Sequence, residues 1–299
     1  MILRILITGG NGFIGRDLAI SLKENNEVHL VDLAFSEILS NIFSGYHVCD
    51  ITKLEDLKQI VNKVNPDVIC HLVARVSFAW AIKEPLQDLD IHARATLNVL
   101  ESARLLGTKP HIIYPSTSAV FGNTQIVPTP EDCPVNPASP YGISKLAGEH
   151  YCRAYSELHK IPTTVIRFTN AYGPFSDHGA VSVIATRIVN NQPITLFGGD
   201  QKIQFIYVTD AANALQTAIE KKGYGVYNAG GPDVVTLKEL VNIIRKISGK
   251  EVPVLFEPAK EGDIDHVEFD LSKIKRELGW QPLVTIEEGT RHCVEAMMK

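Results

Sequence analysis

Residues 3–15 read LRILITGGNGFIG, and the fold follows from this stretch. The apolar run over residues 2–7 has the pattern of a buried strand. Gly9, Gly10, Gly12 and Gly15 come directly after it, and the pattern predicts a helix from Phe13 to about Asn25. Small residues at such a junction let the backbone approach a pyrophosphate. The N–H groups that open the helix, at Phe13 and Ile14, face its negative charge.

Further along, the same alternation repeats. Strands are expected at VHLVD (28–32), DVICHLVA (67–74) and HIIYPST (111–117). Between them lie helices at LEDLKQIVNKV (54–64) and at residues 89–107, the second ended by Gly107. Apolar strands separated by helices imply an α/β protein with a doubly wound parallel sheet of the Rossmann type. Its ligands would sit at the carboxyl ends of the strands. After about Phe168 the segments shorten and Gly and Pro become denser, as in NAYGPFSDHG, LFGGDQ and NAGGPD. A first domain over 1–168 plus about 203–228 would bind the dinucleotide. A smaller α/β region, about 169–202 plus 229–299, would bind substrate.

Asp32 ends the second strand about 20 residues beyond the glycine turn, where a carboxylate accepts both ribose hydroxyls. The same charge repels a 2′-phosphate, so NAD is favoured over NADP. Asp50, with Ile51 beside it, follows the third strand. Asp50 can reach the adenine, cap the LEDL helix, or do both.

Tyr141 and Lys145 stand four residues apart in SPYGISK, on one face of the helix expected after Pro140. A tyrosine near pKa 10 is a poor base at neutral pH, and a neighbouring ammonium favours its phenolate. The strand HIIYPST runs into STSAVFG, which puts Ser116, Thr117 and Ser118 at a strand end. Any of the three can donate a hydrogen bond to a substrate oxygen.

The chain has 299 residues, 34 acids against 29 bases, and no Lys/Arg run that would track a nucleic-acid backbone. Glycine arrives at position 9, before a secretory leader could form, and no apolar run is long enough to span a membrane. Five scattered cysteines, none paired as C-x-x-C, argue against a metal site or disulfide framework and for a cytoplasmic setting.

TGGNGFIG, HLVA, STSAVFG, SPYGISK, RFTNAYGP, YVTD and LGWQP occur in this order along nearly the whole chain. Together they resemble the extended short-chain dehydrogenase/reductase family, specifically its nucleotide-sugar epimerases and dehydratases of the UDP-glucose 4-epimerase kind. The resemblance implies bound NAD, a nucleoside-diphosphate sugar as substrate, and a homodimer formed by the helices near 89–107 and 141–159. It matches Thr117 to the family's catalytic Ser/Thr, Tyr141 to its proton acceptor, and Lys145 to the residue that bonds the nicotinamide ribose. Leu72, Val73 and Ala74 match the cofactor edge, and Asn170 matches a contact of the sugar diphosphate. Ser118 and the loop residue His178 fall beside the sugar. The implied reaction is inversion at C4 of a UDP-hexose through a 4-keto sugar. A 4-keto-sugar reductase is the alternative, ahead of a 4,6-dehydratase or a non-catalytic NAD-binding protein.

Four departures qualify the match. Ser118 and Ala119 stand where dehydratases carry an Asp-Glu pair, which removes the acid that would expel a C6 hydroxyl. Ile203 stands in place of a phosphate-gripping arginine, leaving Lys202 as the nearest cation. Lys260 replaces the arginine of the later R-x-G-D motif. Lysine offers only a point charge where arginine forms a two-pronged bond. Finally, His92 replaces an asparagine; a lone helical histidine is expected to be a packed or surface residue, with an acid/base role as the alternative.

Overall fold

A computed structural model of the chain describes residues 2–34, 42–221, 224–259 and 264–298. The chain divides into two compact units. The first comprises Met1–Gly122, Pro137–Arg167 and Ala212–Tyr227; the second comprises Asn123–Asn136, Phe168–Ala211 and Asn228–Lys299. The expected boundaries differ in two places. Residues 123–136 group with the second unit, and the chain returns to the first at Ala212 rather than near 203.

The first unit is built on strands β1 (Arg4–Thr8), β2 (Glu27–Asp32), β3 (Gly45–Val48), β4 (Val68–His71), β5 (His111–Thr117) and β6 (Thr163–Phe168). With strand Gly225–Ala229 they form a seven-stranded sheet in the order β3-β2-β1-β4-β5-β6-(225–229). The pairs β1/β2, β1/β4, β2/β3 and β4/β5 are parallel. Strand order reverses beside β1, so the carboxyl ends of β1 and β4 flank the crevice where this architecture binds ligands. Ile5, Leu6, Ile7, Ile69 and Ile113 are fully buried, as the unbroken apolar runs require of a sheet covered on both faces.

The helices of this unit are α1 (Phe13–Leu22), α2 (Leu54–Val64), α3 (Phe78–Lys83), α4 (Pro85–Leu89), α5 (Ala95–Leu105) and α6 (Pro140–His159). In α2 the buried residues are Leu57, Val61 and Val64, a helical period, and left-handed Asn65 ends it. The Ser139 hydroxyl caps α6 by accepting the Gly142 N–H, with Pro140 in the first turn.

Three expectations need correction. Helix α1 stops at Leu22 instead of Asn25: past the Lys23–Ala19 bond, the Asn25 N–H reaches back only three residues to the Leu22 carbonyl at 3.4 Å, and the Asn26 side-chain amide takes the same carbonyl at 3.1 Å. The helix expected over 89–107 runs without a break from Pro85 to Leu105 and contains a π-helical turn at Asp90–Arg94 between α4 and α5. In that turn the Thr96 hydroxyl donates to the His92 carbonyl at 2.5 Å, a side-chain bond that competes with the backbone ladder. Gly107 does not supply a left-handed cap: α5 ends with extended Leu106, and Gly107 is not among the positive-φ glycines.

In the second unit, strand Lys202–Tyr207 is central. It pairs antiparallel with Val234–Thr236 and parallel with His266–Val267 and Asn170–Tyr172. Strands Ile194–Phe197 and Val254–Glu257 form a separate parallel pair. Helices Ala180–Val189, Leu237–Ser248 and Ile286–Met298 pack on one another, and Thr236 and Glu239 cap the second in a reciprocal box. Among the described residues, no helix is long and apolar enough to cross a membrane.

Candidate active site

The glycine turn is built for close approach. Gly9 lies at φ +74, and a Cβ there would come within 2.7 Å of the Val73 backbone nitrogen. A Cβ on Gly15 would fall 2.1 Å from the Gly9 carbonyl oxygen, a backbone atom that cannot step aside. Gly12 is the N-cap of α1 and contributes no side chain to its first turn, leaving the N–H groups of that turn to a ligand. At the end of β2, Asp32 accepts the Asn11 N–H at 3.0 Å and the Leu33 N–H at 2.8 Å. A carboxylate has about four acceptor positions, so two remain for ribose hydroxyls. These features fit a dinucleotide. Gly15→Ala is expected to reduce retained NAD at least tenfold, measured by releasing and quantifying the cofactor; wild-type retention would show that the turn can relax.

Beside this cradle, the Leu72 N–H donates to the Thr8 carbonyl at 2.9 Å, which lays Leu72 and Val73 along the turn. Leu72 and Val73 are half-buried and Ala74 is exposed. Asp50 does not cap α2. Its N-cap is Lys53, with no side-chain bond, and the Asp50 carboxylate closes a local turn on the Thr52 N–H and hydroxyl at 3.0 and 2.7 Å. An aspartate satisfies its own backbone two residues on more readily than it reaches a helix three residues away. Buried Ile51 is held from the other side by Asn98, whose amide donates to the Ile51 and Thr52 carbonyls at 2.9 and 3.0 Å.

The residues expected to be reactive come from β5 and α6. Tyr141 is buried near the start of α6, with Thr117 beside it at the end of β5. Burial raises the Tyr141 pKa, the Thr117 hydroxyl opposes the rise, and the charge of Asp88 adds to it. Lys145, one turn further along α6, is buried with its ammonium 4.2 Å from the centroid of the Tyr114 ring. Burial lowers its pKa to about 8, while Glu149 one turn on pulls it back up. Ser118 opens a 3-10 turn directly after Thr117 and is half-buried.

Asn170, His178 and Lys202 belong to the second unit. Asn170 starts a short strand and is exposed. His178 pairs with Asp177 at 2.7 Å on an exposed loop. Lys202 is exposed at the start of its strand, where its charge helps keep the Glu239 carboxyl low, behind that residue's own bonds to Thr236. Lys260 lies outside the described residues.

Sequence reasoning missed a buried polar chain behind the site. Thr8 Oγ1 meets His71 Nδ1 at 2.8 Å, and His71 Nε2 meets Thr96 Oγ1 at 3.1 Å. Buried Asp88 lies 3.0 Å from His92 Nδ1, and the His92 ring packs edge-on to Tyr141 with centroids 5.1 Å apart. The i, i+4 spacing of Asp88 and His92 was the available signal. Burial lowers the pKa of His71 and of His92 to about 3, and Lys145 contributes to both shifts. Between pH 6.5 and about 3 the unfolded chain binds protons that these folded imidazoles refuse, so stability falls as pH falls through that window. Asp88, its carboxyl raised by burial, acts in the opposite sense at the low end. Melting temperatures at pH 7, 5.5 and 4.5 should decline more steeply for wild type than for His92→Gln; equal slopes would remove His92 from the account.

A glycine turn at the crevice of a doubly wound sheet, with a threonine, tyrosine and lysine gathered at the ends of β5 and α6, defines a dinucleotide-dependent α/β enzyme. The model for the NAD dependent epimerase/dehydratase family matches residues 5–230. A UDP-glucose 4-epimerase of Mycolicibacterium smegmatis is 32% identical over 98% of both chains. The crystal structure of a Thermotoga maritima UDP-glucose 4-epimerase with UDP-glucose superposes with a TM-score of 0.92, at 30% identity over 98% of both chains. A Bacillus cereus UDP-glucuronic acid 4-epimerase, solved with UDP-glucuronic acid and NAD, gives 0.89 at 27% identity, again over 98% of both chains. The chain belongs to the NAD dependent epimerase/dehydratase family, and NAD is its cofactor.

Proposed function

We propose that this chain is a nucleotide-sugar 4-epimerase that inverts C4 of a UDP-hexose through a transient 4-keto sugar. The observation that carries the reading is the grouping of buried Tyr141 with Thr117 at the end of β5 and with buried Lys145 one helical turn further along α6. When bound, NAD supplies a reversible hydride acceptor and a positive charge beside the phenol. Tyr141 takes the C4 hydroxyl proton and later returns it, and Thr117 holds the same oxygen by donating a hydrogen bond. Burial works against the Tyr141 phenolate, so positive charge from Lys145 and the cofactor is what makes it a usable base near neutral pH. Lys145 also bonds the nicotinamide ribose.

Gly9, Gly12, Phe13, Ile14, Gly15 and Asp32 hold the dinucleotide in this reading, with Leu72, Val73 and Ala74 along its edge and Asp50 and Ile51 near the adenine. By resemblance, Ser118 and His178 are assigned to the sugar, and Asn170, Lys202 and Lys260 to the diphosphate. Ser118 and Ala119 offer no carboxyl group to expel a C6 hydroxyl, which favours epimerisation over dehydration.

The test is to incubate the purified protein separately with UDP-galactose, UDP-glucose, UDP-N-acetylglucosamine and UDP-glucuronate, adding no nicotinamide, and to follow C4 inversion by proton NMR. Conversion of one sugar is the expected result and names the substrate. No conversion, together with no retained NAD, would replace the epimerase with a 4-keto-sugar reductase.

A further inference from the structure

His92 is held on three sides. The Arg75 backbone N–H donates to its Nε2 at 3.1 Å, so Nε2 is the nitrogen without a proton. The proton therefore sits on Nδ1, which lies 3.0 Å from the Asp88 carbonyl and 3.0 Å from Asp88 Oδ1, within the turn that widens into the π-helix. The third side is Tyr141, which the ring meets at 84° with centroids 5.1 Å apart. This is a packing contact, with neither ring nitrogen left to exchange a proton with the phenol.

The groups around His92 reinforce this arrangement. Burial raises the carboxyl of Asp88, and the charge of Lys145 on α6 works against that rise. The His92 carbonyl receives the Thr96 hydroxyl, which in turn meets His71. Arg75, whose amide His92 accepts, immediately follows the Leu72–Ala74 edge, and its guanidinium lies 4.3 Å from the centroid of the Trp80 ring. One imidazole therefore ties the tyrosine on α6 to the turn that follows β4.

We propose that His92, locked between Asp88 and the Arg75 amide as its Nδ1–H tautomer, is a positioning residue that fixes the Tyr141 ring relative to the Leu72–Arg75 edge. The proposal rests on the reading of Tyr141 as the proton acceptor. Misplacing that ring by a fraction of an ångström is enough to slow the chemistry while leaving sugar binding untouched.

Two measurements on the NAD-loaded protein test it. In a long-range proton–nitrogen spectrum of protein labelled with [15N]histidine, the His92 resonances are identified by their loss in His92→Gln. They should report a protonated Nδ1 and an unprotonated Nε2 throughout pH 5.5–9. In turnover, His92→Ala should lower kcat roughly tenfold to a hundredfold, with the sugar KM and the shape of the kcat–pH profile unchanged. His92→Gln, which keeps an acceptor for the Arg75 amide, should recover most of that loss. Titration of His92 within this range, followed by the acid limb of kcat, would make it a proton carrier and overturn the proposal. Wild-type kcat in His92→Ala, or a loss that His92→Gln does not recover, would overturn it as well. If wild type converts no sugar in the panel and retains no NAD, the epimerase reading fails, and the tautomer spectrum still decides whether His92 is locked.

Discussion

Tyr141→Phe is expected to lower C4 inversion by about 10²- to 10⁴-fold, the range for losing a positioned proton acceptor, while the protein stays folded and keeps its NAD. The substitution removes one oxygen from a buried ring. The ring contacts with His92 and Phe78, with centroids 5.1 and 5.8 Å away, remain. Loss of the hydroxyl is expected to cost no more than about 1 kcal/mol of stability. The Asp32 carboxylate and the glycine turn are untouched, so cofactor released from the denatured variant should match wild type. A variant retaining more than a tenth of wild-type turnover would remove Tyr141 from the mechanism. Asp88 provides a check on the electrostatics. Its charge raises the Tyr141 pKa, so Asp88→Asn should shift the rising limb of the rate profile to lower pH.

The second large effect is on stability. Glu149→Ala is expected to cost about 3–5 kcal/mol, because it leaves a buried arginine without its carboxylate. The Arg167–Glu149 pair is 7% and 5% exposed. Arg167 Nε donates to Glu149 Oε1 at 3.0 Å and its NH2 donates to Oε2 at 2.7 Å, and the Ser116 hydroxyl donates to Oε1 at 2.5 Å. The pair ties α6 to β5 and β6, the same strands and helix that present Thr117, Tyr141 and Lys145. Glu149 also raises the Lys145 pKa, so its loss should push Lys145 below about 8 and make activity fall away earlier on the alkaline side. Urea unfolding measures the first effect, and a change under 1 kcal/mol would show the pair to be dispensable. Replacing Arg167 as well, with methionine, should restore part of the loss by removing the stranded charge.

Much of the fold was legible because its signals are local. An unbroken apolar run followed by Gly9, Gly12 and Gly15 can be read without knowing any neighbour, and the period of Leu57, Val61 and Val64 marks α2 directly. The Tyr141–Lys145 spacing, the cap at Ser139 and Pro140, and the carboxylate ending β2 are equally short in range. Together they were enough to point to an NAD-dependent α/β enzyme. The residues behind the site were not legible. Glu149 meets Arg167, Asn98 meets Ile51, and Thr8 meets His71 across 18, 47 and 63 residues respectively. Such pairs exist only once the fold brings β1 beside β4, α6 beside β6, and α5 beside the turn that precedes α2.

Asp50 and Gly107 show the limit in the opposite direction. Each carries a familiar local signal, but a two-residue turn satisfied Asp50 first, and α5 had already ended at Leu106. For His92 the sequence supplied only a residue type on a helix. Tertiary packing supplied the rest: the Arg75 amide on one nitrogen, Asp88 on the other, and the Tyr141 ring against its side. Periodicity and turn chemistry act within a few residues, so the sequence by itself determined the sheet, the glycine turn and the helix that carries Tyr141 and Lys145. Burial and hydrogen-bond partners depend on what the folded chain brings together, so only the tertiary structure decided which polar side chains hold that helix in place.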